Sequence, residues 1–248
     1  MTSAPLQLAN QPAQAGPINV QVKICGLTTP SDLALCHQLG VAWVGLVFHP
    51  PSPRALNAGR AAVISAAAPP ASQGGPKRVG LFVKPTLATI QAVLDHVQLD
   101  VLQLYTSLEQ AAMLQQALGR EGLGGEVRRE VWLSRAIKSK ADVPSAMAKG
   151  VARWVVEAKP ANQAMPGGAG QRFDWGLLSD WRQGGAPGPW MLAGGLNPSN
   201  VGRAIAATGA VAVDVSSGVE SAPGVKSPAL IKAFVEQARQ PSTPLGAR

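Results

Sequence analysis

The sequence is poor in several things at once, and each scarcity excludes a class of protein. Two cysteines in 248 residues cannot form a disulfide framework and point to a reducing compartment. Three histidines, His37, His49 and His96, lie scattered without ligand spacing and without a nearby cluster of carboxylates, so no metal site is expected. Charged residues make up only 15%, below the usual quarter, and the 4% of aromatics is carried mostly by six tryptophans. With the basic residues dispersed and so few aromatics beside them, specific nucleic-acid binding is not expected. No apolar run is long enough to span a bilayer, and the first thirty residues lack the basic start and apolar block of a secretory signal. The expectation is a soluble, cytoplasmic protein.

Acid is the scarcer charge: 14 Asp+Glu against 22 Lys+Arg give a formal +8. That balance suits an anionic partner, whether phosphate ester, nucleic acid or membrane surface. Apolar residues, at 46%, are ample for a core. Residues 1–17 are rich in Gln, Ala and Pro without periodicity and read as a mobile extension, and 241–248 as a C-terminal tail.

Between them, residues 18–240 repeat one pattern: a short Val-rich run, a turn, a helical stretch. Eight such runs begin near Val20, Ala42, Arg78, Val101, Val131, Arg153, Trp190 and Val211. Their length and β-branched content fit strands buried on both faces of a parallel sheet. Helix-start signals follow them: Thr29-Pro30-Ser31-Asp32 with Gly40 as the stop, a capping box at Ser107 to Gln110 before Met113, Leu114 and Leu118, and the pairs Asn197-Pro198 and Ser227-Pro228. Eight right-handed βα units in a chain of this length imply an α/β fold, a single-domain (β/α)8 TIM barrel. Periodicity does not itself show closure, and an open doubly wound sheet is the alternative. Two longer connections stand out. Pro69 to Pro76 reads as a flexible link on the helix-to-strand side, and Ala158 to Arg172, on the strand-to-helix side, as a candidate lid.

Barrel chemistry sits at the carboxyl ends of the strands. The first run ends at Cys25, a candidate general base or nucleophile whose thiolate the following helix would favour; the plain alternative is a small buried hydrophobe. Cys36, inside the first helix, takes that plain reading outright. After the second run, three prolines in Pro50-Pro51-Ser52-Pro53 would hold Arg54 rigidly, as an anchor for carboxylate or phosphate requires, against a solvated surface arginine. His49 reads as substrate contact or loop filler. The sixth run ends at Glu157, which in a closed ring faces Cys25 across the mouth as an acid opposite a base; the alternative is an exposed glutamate paired with Lys159 or Arg153. The seventh and eighth runs lead into Ala193-Gly194-Gly195-Leu196-Asn197 and Ser216-Ser217-Gly218-Val219-Glu220, two loops suited to a phosphate held by backbone N–H groups.

Lys23-Ile24-Cys25-Gly26-Leu27-Thr28, Ser52-Pro53-Arg54, the stretch Gly167 to Trp175, Leu192 to Pro198 and Val213 to Glu220 together resemble the phosphoribosylanthranilate isomerase family, in order along the chain. The resemblance implies a (β/α)8 barrel that performs an Amadori rearrangement in tryptophan biosynthesis without a cofactor. It implies Cys25 as general base at C2 of the ribose and the acid at Glu157 as proton donor to the ring oxygen. It also implies Arg54 on the anthranilate, Asp214 near its amino group, and Gly194, Gly195, Ser217 and Gly218 around the phosphate. The family has aspartate where this chain has Glu157. It has His-Gly where this chain has Tyr105-Thr106, and aspartate where this chain has Ser227. Those departures motivate an alternative, a catalytically impaired paralogue that binds a phosphorylated ligand. A monomer and a homodimer both fit the resemblance.

Overall fold

Short Val-rich strands with both faces apolar can be buried only if each pairs on both edges, and all eight do. The computed structural model describes residues 20–120, 129–158 and 174–240. Every expected strand forms within one residue of its anticipated start: β1 Gln21–Cys25, β2 Trp43–Val47, β3 Lys77–Val83, β4 Val101–Tyr105, β5 Glu130–Ile137, β6 Arg153–Ala158, β7 Trp190–Leu192 and β8 Ala212–Val215. Neighbours pair in parallel, and β8 returns to β1 with Ala212 opposite Gln21 and Asp214 opposite Lys23, so the sheet closes into a barrel. The open-sheet alternative falls.

Strand residues alternate between two cores. Val22, Ile24, Val44, Leu46, Leu102, Leu104, Leu133 and Val156 face outward into the layer shared with the helices. Trp43, Val79, Val101, Trp132, Val155, Met191 and Ala212 fill the barrel. Cys25, Val47 and Leu81, with Val83 and Tyr105, form the layer at its carboxyl mouth. At the opposite end the Arg153 guanidinium lies over the rings of Trp43 and Trp132, 4.9 and 5.0 Å from their centroids.

Helices α1 Pro30–Gln38, α2 Ala58–Ser65, α3 Leu87–Leu94, α4 Leu108–Arg120, α5 Val201–Thr208 and α6 Pro228–Arg239 surround the sheet. Thr29 and Ser227 cap α1 and α6 as expected, accepting from the N–H groups of Asp32 and Leu230. The Ser107 hydroxyl accepts from Gln110 N–H, but Met113 in α4 is exposed while Leu114 is buried. Asn197-Pro198 does not start a helix. Asn197 instead accepts from Ser199 in an Asx turn, and α5 begins three residues after Pro198. Beyond β5 and β6 the described residues hold short 3₁₀ and π turns (Lys140–Asp142, Trp175–Leu178, Trp181–Gly185) instead of α-helices. Pro69 to Pro76 is not a loose link: it contains a 3₁₀ turn, and the Arg78 guanidinium donates to the carbonyls of Ser65, Ala68, Pro69 and Pro76. The extension at 1–17, the tail at 241–248 and nearly all of the 158–172 loop lie outside the described residues.

Candidate active site

The strand parity that fills the barrel also aims particular side chains at its mouth. On β1, Lys23 and Cys25 share the inward parity, as do Glu157 on β6, Tyr105 on β4 and Asp214 on β8. One pocket at the carboxyl mouth is lined by Cys25, Arg54, Glu157 and Asp214 together with Gly194, Gly195, Ser217 and Gly218. His49 and Tyr105 line it too. Every site residue expected from the sequence therefore meets in one place.

Glycine makes room for the reactive side chains. A Cβ on Gly45 in β2 would lie 2.6 Å from the Cys25 Sγ, so the neighbouring strand has to be bare there. Gly26 has φ +74° and leaves the space through which the Arg54 side chain passes. Gly194 (φ +83°) packs against the backbone of Glu157 and Ala158, and a Cβ on Gly218 would collide with the Leu196 carbonyl oxygen. The last contact presses the loop after β8 onto the loop after β7.

Five charged groups around the pocket are held in one pair, Lys23 with Asp214, and one triad, Arg54 and Lys226 on Glu220. Lys23, fully buried, donates to Asp214 Oδ1 at 3.0 Å. Burial works against its charge, but Asp214 and Cys25 hold its pKa above the ordinary lysine value. Arg54 is 7% exposed, which removes the solvated-surface alternative, and its Nε and Nη2 donate to Glu220 at 2.6 and 2.7 Å. This bidentate pair leaves Nη1 outside it. Lys226 Nζ donates to Glu220 Oε1 at 2.7 Å and to the Ser216 carbonyl at 2.9 Å, from beneath the loop after β8. Burial alone would raise the Glu220 carboxyl; hydrogen bonds from Arg54 and Lys226 outweigh it and hold the group below its ordinary value.

The two candidate proton-transfer groups differ from expectation in one respect. Burial pushes the Cys25 thiol up, and Lys23 and Lys226 only partly oppose this. The expectation that the following helix favours thiolate is thus corrected: α1 starts at Pro30, beyond Gly26 to Thr29, and desolvation dominates. The resting group is a thiol. Cys36, fully buried, is pushed up to about 12 and stays an inert core residue. Glu157 is 5% exposed and accepts from Tyr105 Oη at 3.3 Å; Arg153 lies instead over the Trp43 and Trp132 rings, and Lys159 lies outside the described residues. Burial raises its pKa to about 8, with Tyr105 pulling it down, so it holds a proton at neutral pH.

Sequence reasoning passed over Lys23, Glu220 and Lys226 as positions of interest. The available signal for Lys23 was parity: in a both-faces-buried strand, a lysine two residues before an inward cysteine is inward as well. Among the described residues no group of three His, Cys, Asp or Glu side chains could hold a metal ion, and no helix is long and apolar enough to cross a membrane.

Fold and site together define a (β/α)8-barrel enzyme with acid–base groups and two glycine loops at the carboxyl mouth. Residues 22–237 match the family model for N-(5'-phosphoribosyl)anthranilate (PRA) isomerase. The chain belongs to that family. A relative named N-(5'-phosphoribosyl)anthranilate isomerase in Paracoccus denitrificans is 44% identical over 225 residues, covering 90% of this chain and 98% of the relative. The TrpF structure from Jonesia denitrificans superposes with a TM-score of 0.71 at 32% identity, over 91% of this chain and 99% of that one. A phosphoribosyl anthranilate isomerase solved in complex with reduced 1-(o-carboxyphenylamino)-1-deoxyribulose 5-phosphate has a TM-score of 0.68 at 30% identity, over 89% and 98% of the two chains.

Proposed function

We propose that this protein isomerises N-(5'-phosphoribosyl)anthranilate to 1-(2-carboxyphenylamino)-1-deoxyribulose 5-phosphate by general acid–base catalysis, a step of tryptophan biosynthesis. The observation that carries the reading is the single pocket that unites a buried, protonated carboxyl on β6 with a thiol on β1 and two glycine loops after β7 and β8. In this reading Gly194, Gly195, Ser217 and Gly218 hold the phosphate through backbone N–H groups, with the Lys226 charge behind Ser216. Arg54, fixed by Glu220, presents Nη1 to the anthranilate carboxylate, and Asp214, fixed by Lys23, faces the anthranilate amino group.

The chemistry then needs two protons in and two out. Glu157 gives its proton to the furanose oxygen as the C1–O bond breaks, and the anthranilate nitrogen lone pair forms C1=N. Cys25, as thiolate, takes the proton from C2; the electron pair forms C1=C2 and neutralises the nitrogen. The enolamine gains a proton at C1 from the Cys25 thiol while its C2 hydroxyl gives one up to the Glu157 carboxylate and becomes the carbonyl, which returns both groups to their starting forms. Substrate and product are isomers, and no redox group enters the balance. Lys23 and Lys226 supply the positive potential that draws Cys25 toward its thiolate.

Glutamate in place of aspartate retains the acid, and its burial keeps it protonated, which argues against the impaired-paralogue reading. A phosphorylated intermediate and a free catalytic thiol both belong in a reducing cytoplasm. The test is the isomerase assay on purified protein without added metal or nucleotide. Cys25→Ala and Glu157→Gln are each expected to lower kcat by at least about 100-fold with KM changed only a few-fold. Undiminished turnover in either variant overturns its assigned role.

A further inference from the structure

Glu157 reaches the pocket on a flexible side chain, and something has to choose which carboxyl oxygen faces the substrate. Tyr105 Oη donates to Oε2 at 3.3 Å. The tyrosine is itself held in place: its ring packs on the Cys25, Val47 and Leu81 layer, with Ser134 beside its phenol. Ser134 in turn accepts from Gln103 Nε2 at 2.9 Å. These four residues step across three adjacent strands: Gln103 and Tyr105 on β4, Ser134 on β5 and Glu157 on β6. The Ser134 hydroxyl accepts from Gln103 and so has its own proton free to turn toward the Tyr105 phenol, whose proton in turn goes to Glu157.

We infer that Tyr105 is the positioning residue for Glu157: by donating to Oε2 it leaves the acid's proton on Oε1, the oxygen free to face the furanose. This deepens the isomerase reading and rests on Glu157 being its acid. The other titratable groups facing Glu157 are Lys23 and Cys25 from β1 and Asp214 from β8, with His49 and Arg54 from the loop after β2 on the same pocket. Of these, Lys23 and Asp214 lie at fixed places in a mutual ion pair. Only Tyr105 makes a hydrogen bond to the carboxyl among the described residues.

The experiment has two readouts. Tyr105→Phe keeps the ring and its packing but loses the donor. Carboxyl-carbon NMR titration of protein labelled in glutamate, with the Glu157 resonance assigned through Glu157→Gln, is expected to show its midpoint rising by about one pH unit. Ser134→Ala, which spares the phenol, is expected to move it the same way by less. In steady-state assays Tyr105→Phe is expected to lower kcat about tenfold with KM within about twofold. In a Glu157→Asp background, where the shorter side chain does not reach Tyr105, the same change is expected to lower kcat less than about threefold. An unmoved midpoint, or equal losses in both backgrounds, overturns the inference. Wild-type protein that fails to isomerise the substrate overturns the isomerase reading instead, and the NMR midpoint then decides the Tyr105 inference without turnover.

Discussion

A carboxyl whose pKa is held at about 8 against an ordinary 4.5 couples the chemistry of the site to the stability of the barrel. Below about 4.5 Glu157 is protonated whether the chain is folded or not, and its burial carries no charge penalty. Between the two values the folded protein keeps a proton that the unfolded chain releases, so the stability conferred by the raised pKa is lost as pH rises, fully so above about 8. At about 1.4 kcal/mol per pH unit the loss is on the order of 4–5 kcal/mol. Glu157→Gln keeps the side chain's shape and abolishes its ionisation. The variant is therefore expected to show a widening advantage in Tm over the wild type as pH rises from 5 to 9 in thermal melts, while losing turnover. An offset that stays constant across that range would show that the carboxyl is not perturbed by burial. The residue that makes the site work is thus one that a search for stability alone would remove. Cys25 and Glu157 were legible because strand-end position assigns them to the mouth, and Arg54 because the three prolines before it stiffen the loop after β2. Lys23 and Lys226 were not, because an isolated lysine reads as exposed until a specific acid, Asp214 or Glu220, is known to lie beside it.

Elements constrain the site through how closely they approach one another. The eight strands announced themselves to within a residue, since their runs are too short for helices, rich in β-branched residues and followed by turn or cap residues. Caps were legible where the hydroxyl precedes the proline directly, at Thr29 and Ser227, and failed at Asn197, whose side chain closed its own turn with Ser199. The short turns that the described residues form after β5 and before β7 were not legible, because spacing alone does not distinguish a helix from two short turns of equal reach. Most consequential for function is the contact between the loops after β7 and β8, where Gly218 lies against the Leu196 carbonyl. Gly218→Ala forces these loops apart at the place assigned to the phosphate while leaving Cys25 and Glu157 on their strands. The expected result is a rise in KM of about tenfold, a parallel weakening of competitive inhibition by inorganic phosphate, and kcat within about threefold of the wild type. An unchanged KM would detach the phosphate from these loops.

The molecule as a whole carries far more positive charge than its site consumes. Lys23 and Asp214 compensate each other, and Arg54 and Lys226 against Glu220 leave a single positive charge. Most of the formal +8 therefore lies outside the pocket. Strand count could be read along the chain, but closure could not: it depends on β8 meeting β1, and that same closure sets Asp214 opposite Lys23 and brings Cys25 and Glu157 to one mouth. Closure also gives the dispersed charge a common target. A substrate bearing both a phosphate and a carboxylate approaches one end of a barrel whose net field is attractive at distances beyond any direct contact. Attraction of that kind is screened: the Debye length falls from about 30 Å at 0.01 M salt to about 8 Å at 0.15 M. kcat/KM is therefore expected to fall several-fold across that range while kcat, set inside a pocket that excludes bulk ions, stays level. Steady-state kinetics in sodium chloride at fixed pH measure both quantities, and a matched series in a neutral viscogen separates field effects from slowed diffusion. A kcat/KM that ignores salt but follows viscosity would mean that encounter is governed by diffusion to the pocket alone, and the excess charge would then need a role other than substrate capture.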